Sequence, residues 1–128
     1  MFRRSLVSRG VAGLLLVVAL FQCALVLGAP WGALAWGGAH RGALPLGLRA
    51  ASAVSLIVYA ALMGVALRPW LLGRARRGVC SIVAALFALG ALANAVSRSP
   101  VERVWAPVAA LLSAGFFVLR SDGSERSR

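Results

Sequence analysis

Four long apolar stretches, separated by short segments rich in arginine, glycine and proline, dominate the pattern of this sequence. They run over residues 11–27, 50–67, 79–96 and 104–119, and none contains a charged residue. A helix needs about 20 mostly apolar residues to cross a hydrocarbon core about 30 Å thick. Because each stretch is apolar on all sides, we predict an all-α transmembrane bundle of four helices, forming a single membrane domain over residues 1–128.

Pro107 lies near the start of the fourth stretch. Proline lacks an amide hydrogen, but the first N–H groups of a helix have no helical partner, so we interpret Pro107 as a start signal. The short polar segment 121–128 follows this span, and we predict that it is a disordered tail.

The composition agrees with a lipid environment. Hydrophobic residues make up 61% of the chain and charged residues 13%, which is too apolar for a soluble domain of 128 residues. The formal net charge of +11 comes from arginines scattered between the apolar stretches. This distribution is typical of membrane-protein loops and argues against nucleic acid, so the partner we expect is the lipid bilayer.

The arginines are divided unequally between the two sides of the predicted membrane. One side carries ten of them, namely Arg3, Arg4, Arg9, Arg68, Arg74, Arg76, Arg77, Arg120, Arg126 and Arg128. The other side carries four, namely Arg41, Arg49, Arg98 and Arg103. The positive-inside rule therefore predicts cytoplasmic N- and C-termini. The preference for Arg, Ala and Gly over Lys and Ile is typical of a GC-rich genome, so we expect a bacterial cytoplasmic (inner) membrane.

The first span has an alternative interpretation as a cleaved signal peptide, because Phe2-Arg3-Arg4 precede an apolar run. Against cleavage, the run is longer than a usual signal core, and Pro30 follows the nearest small-residue site. Gln22 before Cys23 does not suit a lipoprotein site either. We expect Cys23 and Cys80 to differ in depth by roughly 20 Å, which excludes a disulfide between them.

The segment 28–49 is the longest connection and holds six of the fourteen glycines, so we do not expect a regular helix there. It lies on the membrane or caps the bundle. Tryptophan prefers the headgroup layer. We therefore predict interface anchors on the outer side at Trp31, Trp36 and Trp105, and on the inner side at Trp70.

Polar side chains inside lipid are costly and usually face the bundle interior, so their positions point to a candidate site. They concentrate near the predicted outer end, and on the second span Arg49, Ser52, Ser55 and Tyr59 share one helical face. The candidate ligand or partner contacts are Gln22, His40, Arg49, Ser52, Asn94, Ser97, Glu102 and Arg103.

These residues allow two interpretations. In the functional one, Arg49, Asn94 and Glu102 line an outward-facing pocket that holds a small polar or anionic ligand. In the structural one, Gln22, Ser52 and Asn94 form hydrogen bonds between helices, and Glu102 pairs at the surface with Arg49 or Arg103. No enzyme signature is present, and we expect no catalytic residues, no metal and no cofactor.

A longer pattern carries a family resemblance. It consists of the string LGAPWGALAWGG from Leu27 to Gly38, then Leu44-Pro45 and Leu48-Arg49 with Ser52, and NAVSRSPVER from Asn94 to Arg103 with Trp105 and Pro107. The chain thereby resembles a family of small four-helix bacterial membrane proteins of unknown role. The resemblance implies an inner-membrane four-helix protein, and it marks the outer loop and the segment 94–103 as the signature.

Our leading functional hypothesis is a non-enzymatic accessory or binding subunit that uses the polar cluster and the outer loop. The alternative is a small transporter or channel for a polar or anionic solute. It would work as a homo-oligomer or within a larger membrane complex. In size the chain is similar to small multidrug transporters, but those depend on a glutamate in the first helix, where this chain has only Gln22.

Overall fold

The computed structural model describes residues 2–123, with side chains through residue 121. Its four α-helices are α1 (Phe2–Val26), α2 (Leu46–Leu67), α3 (Arg76–Ala95) and α4 (Trp105–Leu119), and the described part of the chain contains no strand. Each helix is long and apolar enough to cross a membrane when α3 and α4 are taken with the 3₁₀ turns before them, as Gly73–Ala95 and Glu102–Leu119. The predicted all-α bundle of four helices is therefore confirmed, and the chain has the character of a multi-pass membrane protein.

The two ends of the bundle differ. The α1–α2 connection (27–45) and the α3–α4 connection (96–104) meet at one end, where the Gly37 N–H donates to Glu102 Oε1. We call this the loop end. The opposite end, which we call the terminal end, holds the α2–α3 connection (68–75), the start of α1 and the end of α4.

The helices are arranged in the spatial order α2, α1, α4, α3. Helix α1 packs against α2 and α4, and α4 packs against α3, whereas α2 and α3 contact each other little despite being consecutive in sequence. At the terminal end the two are joined, because Arg76 Nη1 donates to the Val65 carbonyl at 2.6 Å. The bundle is therefore closed between α2 and α3 at its terminal end.

Small residues lie where the helices approach most closely. A Cβ placed on Gly115 of α4 would lie 2.3 Å from Val11 Cγ2 of α1, so glycine is what permits that contact. The Ser113 hydroxyl donates to the Ala84 carbonyl at 2.7 Å and links α4 to α3. Close backbone approach through small side chains is the usual way in which membrane helices pack.

Apolar side chains fill the inside and also cover the outside. The main core includes Leu15, Leu112, Phe116 and Leu119, of which none is more than 1% exposed. Large side chains on the outer faces are exposed, among them Leu20, Ile57, Leu89 and Phe117. Such a surface would drive aggregation in water, whereas lipid tails match it.

The helices extend past the predicted spans at several ends. α1 begins at Phe2 instead of residue 11, because helical hydrogen bonding continues past the apolar run into the arginine-rich start of the chain. Pro107 lies in the first turn of α4. Residues Arg120–Gly123 form a 3₁₀ turn against α3, with the Arg120 guanidinium 3.6 Å from the Phe117 ring centre. The remainder of the predicted disordered tail, 124–128, lies outside the described residues.

Candidate functional site

The α1–α2 connection, residues 27–45, folds over the loop end, and we call it the cap. Two short 3₁₀ turns, Gly32–Leu34 and Trp36–Gly38, shape it. The Gly32 N–H donates to the Gly42 carbonyl at 3.0 Å, which closes the segment on itself. Leu44 and Ala35 of the cap are buried against Leu25 of α1. The cap is thus a folded lid with its own small core.

Three consecutive residues of the cap have left-handed backbone conformations. The φ angles of Trp36, Gly37 and Gly38 are 53°, 80° and 69°. For a residue with a side chain, such as Trp36, this conformation costs about 1–2 kcal/mol. The contacts made there offset that cost, because Trp36 Nε1 donates to Ser52 Oγ at 3.1 Å and the Gly37 N–H donates to Glu102.

Glu102 fastens the cap to the α3–α4 connection. It is only 7% exposed, and its two carboxylate oxygens accept hydrogen bonds from the Gly37 N–H and from the Ser97 hydroxyl. A buried carboxylate is tolerable only when it is hydrogen-bonded or paired. Beside it, the Ser99 hydroxyl donates to the Ala33 carbonyl at 2.9 Å and adds a second bond between the cap and this connection.

The two arginines predicted beside Glu102 bond to backbone carbonyls instead. Arg49 donates from Nε and Nη2 to the Val26 carbonyl, at 2.9 and 2.7 Å, and α1 ends at that residue. Arg103 Nε donates to the Ser97 carbonyl at 3.0 Å. The last carbonyls of a helix lack helical partners and attract positive charge, which explains the position of Arg49. Within the described residues, the surface pair that we predicted between Glu102 and Arg49 or Arg103 is not observed.

Beneath the cap lies a cavity of about 260 Å³, lined by all four helices and the cap. Most of its walls are apolar, with Val18, Phe21, Phe87 and Leu112 among them. Polar side chains also line it, and these are Gln22, Ser55, Tyr59, Asn94 and Glu102. An apolar cavity with a few convergent polar groups is the usual form of a small-molecule site, and this one lies at the lower end of the size range of such sites.

Gln22 of α1 is the unusual group in this cavity. The residue is 9% exposed, and no donor among the described residues reaches its Oε1 atom. A buried acceptor left without a donor costs about 1–3 kcal/mol. The hydroxyl of Ser55, by contrast, donates to the Ala51 carbonyl at 3.1 Å. Gln22 is therefore the side chain that offers an unused hydrogen-bonding group to an occupant of the cavity.

The candidate residues thus fall into four groups. Gln22, Asn94 and Glu102 line the cavity together. Ser52 and Ser97 hold the cap through Trp36 and Glu102, and Arg49 and Arg103 bond to carbonyls at helix ends. His40 is exposed in the cap, away from the cavity lining.

The sequence analysis named Trp31, Trp36 and Trp105 as interface anchors, but it missed Phe21 and the contacts that these rings make at the site. Phe21 stacks parallel to Trp31 with ring centres 6.3 Å apart, and its ring centre lies 4.7 Å from that of Trp105. Trp105 Nε1 donates to the Leu34 carbonyl at 2.9 Å. The N–H groups of Trp36 and Trp105, which we expected to be satisfied in the headgroup layer, therefore have partners within the protein. Trp70 is 70% exposed at the terminal end.

The described residues provide no candidate metal site. They contain no group of three or more His, Cys, Asp or Glu side chains placed to hold a metal ion. Neither cysteine forms a disulfide: Cys80 is buried and Cys23 is half-buried.

Comparison with known proteins gives no match to a family model, to a curated protein or to a solved structure. The resemblance to a family of small bacterial membrane proteins stays a prediction. The function is therefore argued from the cavity and the cap.

Proposed function

We propose that this chain is a non-enzymatic protein of the bacterial cytoplasmic membrane that binds a small ligand in the cavity beneath its cap, as an accessory or binding subunit. The observation that carries the proposal is the unpaired, buried Oε1 of Gln22 in a cavity with mostly apolar walls. A bound hydrogen-bond donor would satisfy this acceptor and remove the cost of leaving it buried and unused.

The chemistry of the cavity favours binding over catalysis. The Ser55 hydroxyl is bonded to a backbone carbonyl, and both oxygens of Glu102 already accept hydrogen bonds from the protein. Nucleophilic catalysis needs a nucleophile within hydrogen-bond reach of a base. The polar groups that line the cavity are suited instead to recognising an occupant.

The charge of the cavity bears on the kind of ligand. Arg49, which we had expected to hold an anion, does not line the cavity, and its guanidinium is bonded to the Val26 carbonyl. Glu102 is the one acidic side chain in the lining. A ligand with uncharged donor groups therefore fits better than an anion.

The proposed location and orientation rest on composition. Among the described residues, eight arginines flank the terminal end and four flank the loop end, so the positive-inside rule favours cytoplasmic termini with the cap on the opposite side. With that orientation the cavity lies in the outer half of the membrane, directly below the cap.

A cavity-filling variant tests the binding function. Gly90 of α3 lines the cavity, and a Cβ added there meets no atom within 4 Å, so Gly90→Leu is chosen to place a larger side chain at the cavity wall. Gly78→Leu is the matched control, because Gly78 lies on the same helix, has equally open surroundings and does not line the cavity.

The measurement is mass spectrometry of small molecules extracted from each purified protein. We expect a compound to accompany the wild type and Gly78→Leu in stoichiometric amount and to be missing from Gly90→Leu. If all three proteins carry the compound equally, the cavity is not its binding site and the proposal is wrong.

A further inference from the structure

We propose that the occupant of the cavity is a single-chain amphiphile, which enters from the bilayer between α2 and α3 and places a hydrogen-bond-donating headgroup at Gln22. This inference rests on the binding function proposed above and specifies the class of ligand and its route. Three features support it: the gap between two helices, the cap, and the distribution of polar groups in the cavity.

The gap lies between the two helices that contact each other little. Ser55 and Tyr59 of α2 line one side of the cavity, and Gly90 and Asn94 of α3 line another. Helices α1 and α4 pack against each other, so they form a continuous wall behind the cavity. At the terminal end α2 and α3 are joined through Arg76. Among neighbouring helices around the cavity, α2 and α3 thus have the fewest contacts, and we infer that the route from the bilayer runs between them.

The cap covers the cavity on the water side. Trp36 is bonded to Ser52 of α2, Gly37 is bonded to Glu102, and Trp105 at the start of α4 is bonded to the cap carbonyl of Leu34. Beside these contacts a second pocket at the loop end shares Asn94 and Glu102 with the cavity. A molecule dissolved in the bilayer instead approaches from the side where α2 and α3 contact each other little.

The distribution of polar groups specifies the headgroup. Gln22 offers an unused acceptor, and Asn94 adds an amide that can both donate and accept. A hydroxyl or amide N–H group would satisfy them. The apolar side chains of Val18, Phe87 and Leu112 suit the first part of a hydrocarbon chain. The cavity of about 260 Å³ holds the headgroup and the start of such a chain, and the rest extends through the gap into lipid.

Tryptophan quenching by a brominated amphiphile tests this inference. Trp36 and Trp105 line the cavity, whereas Trp31 and Trp70 do not, so the double variant Trp31→Phe/Trp70→Phe reports on the cavity alone. The protein is reconstituted in vesicles of phosphatidylcholine and phosphatidylglycerol and titrated with 2-bromododecan-1-ol or with 2-bromododecane. We expect the alcohol to quench saturably and the alkane, which lacks a donor, to quench only in proportion to its concentration in the bilayer.

Two further variants locate the binding site. Gln22→Leu removes the acceptor and should raise the half-saturating concentration of the alcohol about tenfold, the effect of losing one hydrogen bond. Gly90→Leu should abolish the saturable component, and Gly78→Leu should retain it. Gly90→Leu adds a side chain in open space, so it keeps the test decisive even if Gln22→Leu fails to fold.

The outcomes distinguish this inference from the proposed binding function on which it rests. Equal, non-saturable quenching by the alcohol and the alkane would show that the ligand is not an amphiphile. The binding function would still stand if a compound is retained only by the proteins with an open cavity. Saturable quenching that Gly90→Leu does not change would place the amphiphile outside the cavity and also overturn the inference. If neither a compound nor saturable quenching is found, both proposals are wrong.

Discussion

Trp36, Gly37 and Gly38 share a left-handed backbone, but each makes a different contact. The indole N–H of Trp36 reaches Ser52, and the backbone N–H of Gly37 reaches Glu102. Gly38 is limited by space, since a Cβ there would lie 2.4 Å from Ser99 Cβ. The close fit between Gly38 and Ser99 brings the cap against the α3–α4 connection, over the cavity.

Alanine substitutions at the two glycines separate backbone strain from steric overlap. Gly37→Ala meets open space, so it should cost only the left-handed conformation, about 1–2 kcal/mol. Gly38→Ala bears the same strain and adds a clash with Ser99. The clash should cost a further ~1–3 kcal/mol of stability, the usual effect of overpacking. Thermal unfolding in detergent should therefore show a larger loss for Gly38→Ala. Equal losses would mean that the cap does not press on Ser99.

Individual site residues were predictable to different degrees. Gln22 and Asn94 could be identified because a polar side chain within an apolar span is costly and therefore informative. The role of Ser52 could not, because its partner is Trp36, and only the folded cap determines where that indole lies. For Arg49 the sequence left a ligand contact and a pair with Glu102 as alternatives, because it shows the charge but not the helix-end carbonyl that Arg49 contacts.

At the level of elements, arginines recur at the junctions between helices. Arg49, Arg76 and Arg103 are each separated by 27 positions in the sequence. Arg49 and Arg76 lie in the first turns of α2 and α3 and donate to carbonyls in the last turn of the preceding helix, and Arg103, just before α4, donates to a carbonyl just after α3. One membrane span plus one short connection accounts for the spacing. These arginines therefore act as caps that join successive helices, in addition to any effect on orientation.

Arg49→Met tests the capping role. It removes two charge-assisted hydrogen bonds to Val26 while keeping much of the side-chain volume, and we expect the free energy of unfolding to fall by about 2 kcal/mol. Arg49→Lys should recover part of this loss, because one ammonium group keeps the charge. The control is Arg41→Met, at an exposed position in the cap, which should be neutral. The measurement is unfolding of the detergent-solubilised protein by increasing dodecyl sulfate, and a neutral Arg49→Met would contradict the capping role.

The contact between Val11 of α1 and Gly115 of α4 can be tested separately. Gly115→Ala forces a methyl group against Val11 and should destabilise the bundle by about 1–3 kcal/mol. The double variant Val11→Ala/Gly115→Ala makes room and should restore most of the loss. Gly13→Ala on α1 meets open space and should be neutral or stabilising by up to about 1 kcal/mol. The same unfolding assay applies, and simple additivity of the two substitutions would show that these side chains do not meet.

The number and approximate position of the helices followed from the sequence, but their arrangement did not. Four uncharged stretches of suitable length have few alternatives in a bilayer. The spatial order α2, α1, α4, α3 could not be deduced, because all four stretches are apolar on every side and none marks a preferred neighbour. The contact between Gly115 and Val11, which sets the distance between α1 and α4, joins positions far apart in the chain.

For the molecule as a whole, this arrangement explains why a cavity exists. A row of four helices with α1 and α4 in the middle leaves α2 and α3 at the edges, where they converge through Arg76 at one end only. The cap covers the other end through Trp36 and Glu102. The space that is left lies beneath the cap, and the route that we propose into it runs from the bilayer between α2 and α3.

The orientation of the whole molecule can be tested with single cysteines in a Cys23→Ala background. Cys80 is buried and can stay. Ala43→Cys in the cap and Ala75→Cys in the α2–α3 connection are both exposed positions at opposite ends of the bundle. Because positively charged connections are retained on the cytoplasmic side, a membrane-impermeant maleimide should label position 43 in intact spheroplasts and position 75 only after permeabilisation. Labelling in the reverse order would place the cavity in the inner half of the membrane, and equal labelling of both sites would mean that the chain inserts in two orientations.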